Sequence, residues 1–65
     1  MTRYFTFGQS HRHVIDGFVY DKDIIVAITA DDPRKVMFET FGRKWAMEYE
    51  SPHRLELYPR GIKKL

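Results

Sequence analysis

The sequence predicts a small α+β domain, one short helix packed on a small antiparallel sheet in the order β-β-α-β-β. Three observations predict it. Residues 24–29 (Ile-Ile-Val-Ala-Ile-Thr) form a nearly continuous β-branched apolar run, as in a strand buried on both faces. Asp31-Asp32-Pro33 and Gly42 bracket a short helix with start and stop signals. Apolar and polar residues alternate over residues 4–7 and again over 44–50, the period of half-buried strands.

Taken in order, Phe5 and Phe7 fall on one face of the first strand and Tyr4 and Thr6 on the other, and Gly8 ends it. Residues 9–23 are polar and punctuated, and are expected to form a ribbon or an ordered loop. Within them, Asp16-Gly17 lies between Val14-Ile15 and Phe18-Val19, a strong signal for a type I′ hairpin turn. Residues 24–29 make the central strand. The helix follows, with Asp31 or Asp32 as N-cap, Pro33 in the first turn and Gly42 as a left-handed C-terminal stop. Val36, Met37, Phe38 and Phe41 are expected to pack it onto the sheet. Beyond it, Trp45, Met47 and Tyr49 are expected to face the core, with Glu48 and Glu50 in solvent. Residues 55–58 (Leu-Glu-Leu-Tyr) read as a short edge strand. Residues 59–65 read as a turn followed by a basic tail that frays.

At 65 residues the chain is expected to form a single domain. A chain of this size buries roughly 60% of its unfolded surface and is marginally stable. There is no cysteine, which excludes disulfides and thiolate metal sites. Ten aromatic residues, Tyr4 through Tyr58, can supply the core instead. The formal net charge of +2 is spread along the chain, where a nucleic-acid binder usually concentrates it on one face. The first residues contain no apolar signal region, and the apolar run at 24–28 is too short to span a bilayer. A cytoplasmic protein with no membrane contact is expected.

Residues 9–13 (Gln9, Ser10, His11, Arg12, His13) concentrate hydrogen-bond donors after a glycine and form the leading candidate binding loop. On an extended segment His11 and His13 point the same way, and His53 or one of Asp16, Asp21 and Asp23 could add a ligand. His-x-His spacing fixes no fourth ligand, so no metal and no cofactor is expected. As an anion loop the segment lacks any Gly-rich phosphate motif. A second constellation, Arg43-Lys44-Trp45 with Arg60, Lys63 and Lys64, joins rings to cations as in single-strand nucleic-acid sites, although Trp45 is assigned to the core by its alternation. No catalytic residue is expected: Ser10 is the only serine beside a histidine, and Glu48 and Glu50 have no pocket to shift their pKa values. Sheet edges and the outward tyrosines Tyr4, Tyr20 and Tyr58 fit an interaction module. The candidate binding residues are therefore Gln9, Ser10, His11, Arg12, His13, Tyr20, Tyr58 and Arg60.

Tyr4-Phe5-Thr6-Phe7-Gly8-Gln9-x-His11, followed by Met37-Phe38-x-x-Phe41-Gly42-x-Lys44-Trp45-Ala46-Met47, resembles small uncharacterised proteins of actinobacterial phages. Those proteins open with an aromatic-Thr-Phe-Gly strand and continue through a helix ending in Phe-Gly to a Trp-containing strand. The resemblance covers residues 4–49 and carries no functional residue with it. It implies a viral protein in a bacterial cytoplasm that binds a host macromolecule, as a counter-defence or host-takeover factor. The expected partner is a host protein, with homodimerisation as a further association. The alternative is a nucleic-acid or nucleotide-binding module using the 9–13 loop and the basic residues.

Overall fold

The computed structural model describes residues 1–52 and 54–65. Strands β1 (Thr2–Thr6), β4 (Ile25–Thr29), β5 (Met47–Tyr49) and β6 (Ile62–Lys64) form one sheet in the order β5-β1-β4-β6, and β2 (His13–Ile15) and β3 (Phe18–Tyr20) form a separate hairpin. Helix α1 (Pro33–Phe41) and a 3-10 turn at Leu55–Leu57 complete the elements. The fold is α+β. Its sheet is mixed, because β4 pairs antiparallel with β1 but parallel with β6.

The period-2 pattern decides which face of the sheet meets the helix. Phe5 is the partner of Val26 and Tyr4 of Ala27, so Phe5, Val26 and, by alternation, Ile24 and Ile28 share one face. These four join Phe7, Met37, Phe41 and Tyr20 in a single buried cluster. Ile25 and Ala27, on the opposite face of β4, are buried too, as expected of the central strand.

The helix begins and ends where its signals lie. The Asp32 side chain accepts the Lys35 N–H at 3.3 Å, and Pro33 occupies the first turn. Gly42 has φ 66° and ψ −136° and donates its N–H to the Phe38 carbonyl. That is a positive-φ conformation other than the expected left-handed helical one, and glycine adopts it without strain. Met37 and Phe41, four residues apart, lie on the buried stripe. Phe38, expected in the core, is 44% exposed, because the next position on a helix is turned by about 100° and leaves this narrow stripe. Its ring lies beside Trp45, centroids 5.5 Å apart.

The Asp16-Gly17 turn has φ values of 52° and 80°, the two positive angles a type I′ turn requires. The hairpin folds onto the core through Tyr20, whose ring meets Phe41 edge-on at 5.0 Å and Phe7 at 6.1 Å.

After the helix the structure departs from the simple alternation. Met47 is the ladder partner of Thr6, yet the Ala46 N–H also reaches the Thr6 carbonyl at 2.8 Å. Two consecutive residues thus oppose one, the arrangement of a β-bulge, and a bulge shifts the facing of side chains by one position. Trp45 accordingly lies on the helix side, edge-on to Phe5 at 5.2 Å, while Met47 and Tyr49 fall on the other face. Glu48, expected in solvent, lies on the helix side between Arg3 (2.7 Å) and Arg34 (3.2 Å).

Two further expectations change near the end of the chain. Residues 55–57 form a 3-10 turn instead of a strand. It starts after Arg54 in the left-handed region (φ 58°), and i→i+3 bonds from Leu57 and Tyr58 satisfy its carbonyls locally. The basic tail is strand β6, held to β4 by bonds from the Ile25 N–H to the Gly61 carbonyl and from the Leu65 N–H to the Ala27 carbonyl, both 3.0 Å. Among the described residues, no helix is long and apolar enough to cross a membrane.

Candidate functional site on the helix-free sheet face

A sheet buries its two faces by packing a layer on each. Here α1 and the hairpin cover one face only. The other carries Tyr4 and Thr6 from β1, Ile25 and Ala27 from β4, Met47 and Tyr49 from β5, and Ile62 and Lys64 from β6, with Thr6, Ile25 and Ala27 buried at its floor. Tyr4 stands directly across from Tyr49 on β5 and from Ala27 on β4. The 3-10 turn approaches this face from one end and roofs part of it.

Three adjoining grooves result. The central one, about 220 Å³, lies between Tyr4, Ile25 and Tyr49 of the sheet and Pro52, Leu57 and Tyr58 above it. A second continues over Thr6 and Met47 to Gln9 and Lys22, sharing Tyr49, Leu57 and Tyr58 with the first. A third runs the other way from Tyr4 over Ala27 to Ile62, Lys64 and Leu65. Met47 and Leu57 are 53% and 52% exposed, and Ile62 and Leu65 of the third groove are exposed too. Arg54, Lys22 and Lys64 each line one groove, and among the described residues no Asp or Glu lines any of the three.

Two cations are paired within the fold, Arg3 on the helix side of the sheet and Lys22 on the wall of the second groove. The hydrogen bond to Glu48, with lesser help from Glu50, raises the pKa of Arg3 above its ordinary value. The hydrogen bond to Asp23 likewise raises that of Lys22.

The residues singled out from sequence are distributed unevenly. Gln9 and Tyr58 line the second groove. Ser10 and Arg12 are exposed and His11 is half-buried in the turn that leads from β1 to the hairpin. His13 is not a free donor of that loop. Its ring packs on Phe7 and Phe41, and its Nε2 lies 2.7 Å from the Lys44 carbonyl. A carbonyl only accepts, so Nε2 holds the proton and its lone pair is not available to a metal. Tyr20, expected to point outward, is 5% exposed and belongs to the core. Arg60 is occupied within the fold: its Nη1 donates to the Val19 carbonyl at 2.7 Å, and its guanidinium covers Phe18 with Lys63 alongside. His53 lies outside the described residues, and no group of three potential metal ligands occurs among the described ones.

Sequence reasoning missed Met47, Tyr49, Leu57, Ile62, Lys22 and Arg54, whereas Lys64 belongs to the basic constellation it singled out. Met47 and Tyr49 were assigned to the core because the bulge at Ala46 leaves no mark in composition. Tyr4 was the available signal, since its position between Arg3 and Phe5 puts it opposite the core face. Compared with protein-family models, with curated proteins and with solved structures, the chain matches none.

Proposed function

We propose that the chain is a non-enzymatic, phage-type binding module that docks a host protein on the helix-free face of its sheet, as a counter-defence or host-takeover factor. The observation that carries this reading is the continuous tyrosine- and aliphatic-lined face formed by the three grooves. Contiguous exposed apolar surface of this kind marks protein-interaction sites, and tyrosines with an apolar body and a polar tip are frequent anchors there. The host context rests on the resemblance to small actinobacterial phage proteins. The nucleic-acid alternative draws less support, because His13 and Arg60 spend their hydrogen bonds inside the fold.

The test is affinity capture from actinobacterial lysate with the wild-type chain and with a Met47→Glu/Leu57→Glu double variant. Both sites are more than half exposed, so the variant should keep the wild-type melting temperature. A host protein retained by the wild type through nuclease and high salt, and lost from the variant, is the expected result. Recovery of nucleic acid alone, released steeply by salt, would overturn the reading.

A further inference from the structure

We infer that the segment seated on this face is acidic, with apolar side chains interspersed among its carboxylates; this rests on the docking role proposed above. The inference comes from the sign of charge around the grooves. Each groove has one cationic side chain on its wall, Arg54, Lys22 and Lys64 respectively, and none has an Asp or Glu among the described residues. Of the two grooves beside Phe38, one is lined by both signs, Asp32 and Glu39 with Arg34 and Lys35, and the other, at Trp45, by Arg43 alone.

Arg54 and Lys22 each meet a carboxylate nearby, Glu56 at 3.9 Å and Asp23 at 3.0 Å. Both cations are more than half exposed, and exposed pairs of this kind are weak and readily exchanged. Arg54 and Lys22 can therefore exchange these partners for an incoming carboxylate. A second copy of the chain would bring the same three cations to the same interface, and like charges facing one another disfavour it. Nucleic acid also offers negative charge, and Tyr4, Tyr49 and Tyr58 offer it rings, but the exposed apolar side chains of the grooves, Met47, Leu57, Ile62 and Leu65, are aliphatic. Bases stack on flat rings, whereas leucine, isoleucine or phenylalanine side chains fill aliphatic grooves.

The experiment is selection of a random peptide library, displayed on particles, against the wild-type chain. The enriched peptides are then titrated against wild type, the Met47→Glu/Leu57→Glu variant and a Lys22→Glu/Arg54→Glu/Lys64→Glu variant. Enriched peptides with net negative charge and regularly placed apolar residues are expected. Their binding should be abolished by the first variant and weakened about tenfold by the second, since each exposed pair contributes modestly. Neutral or basic peptides that still require Met47 and Leu57 would overturn the acidic assignment and leave the docking face standing. No enrichment, or peptides indifferent to the first variant, would overturn both. Displacement of the peptides by oligothymidylate would assign the face to nucleic acid. A dimer in sedimentation that Met47→Glu dissociates would assign it to a second copy. Either result would overturn the inference.

Discussion

Gly42→Ala isolates the energy of one backbone conformation. Gly42 holds φ 66° and ψ −136° immediately after the helix, close to a region that residues with a Cβ avoid. A Cβ built there meets nothing within 4 Å, so packing contributes no penalty. Holding an alanine in such a conformation costs about 1–3 kcal/mol. A domain of this length is stabilised by only roughly 3–10 kcal/mol, and in this size range each kcal/mol moves the melting temperature by about 4–8 °C. The variant is therefore expected to melt about 5–20 °C below wild type. Trp45 fluorescence reports the transition directly, because its ring contacts Phe5 and Phe38 and its Nε1 donates to the Gly42 carbonyl. Gly8→Ala supplies the comparison: φ is 67° and the new Cβ would stand 3.1 Å from that of Ala46, adding a steric cost to the conformational one. Gly8→Ala should be the more damaging of the two. An unchanged melting temperature for Gly42→Ala would refute the claim that this turn needs glycine, and with it the placement of the helix end.

Three other outcomes follow from the same geometry. Met37→Ala, at a fully buried site, should cost about 2–5 kcal/mol in urea denaturation, whereas the neighbouring Phe38→Ala should cost under about 1 kcal/mol; the reverse order would put the wrong helix face in the core. Asp32→Ala removes the carboxylate that accepts the Lys35 N–H and should lower stability by about 1 kcal/mol, measured by the same denaturation. The Lys22 pKa is raised by its hydrogen bond to Asp23, so the stabilisation it supplies is present at neutral pH and is lost only as pH rises through that raised value. An NMR titration of the Lys22 side chain should give a midpoint above the ordinary 10.5, and Asp23→Asn should lower that midpoint.

Much of the fold was legible because its signals are local. Asp32, Pro33 and Gly42 mark the helix by backbone chemistry that tertiary contacts do not alter, and Asp16-Gly17 marks its turn in the same way. Residues 24–29 could hardly be anything but a buried strand. What could not be read depends on pairing. The bulge at Ala46 turns Trp45 to one face and Met47 to the other, and only the partner strand reveals it. Leu55-Glu56-Leu57 alternates like a strand, but left-handed Arg54 leads it into a 3-10 turn. The basic residues 63–64 look like a fraying tail until β4 is seen to offer an open parallel edge. The candidate face was hidden for the same reason: Tyr4, Tyr49, Met47 and Ile62 come from three separate strands, and only the register brings them together. Tyr20 shows the converse, a tyrosine from a polar stretch that the hairpin carries into the core.

Oxidative side-chain footprinting of the chain, free and bound to the protein it captures, tests the central claim most directly. Exposed apolar side chains lie on separate parts of the molecule: Met47 and Leu57 on the helix-free face, Phe38 on the helix, Val14 on the hairpin. Met47 and Leu57 should become protected in the complex while Phe38 and Val14 react as in the free chain. Protection of Phe38 or Val14, with Met47 and Leu57 unchanged, would contradict the account.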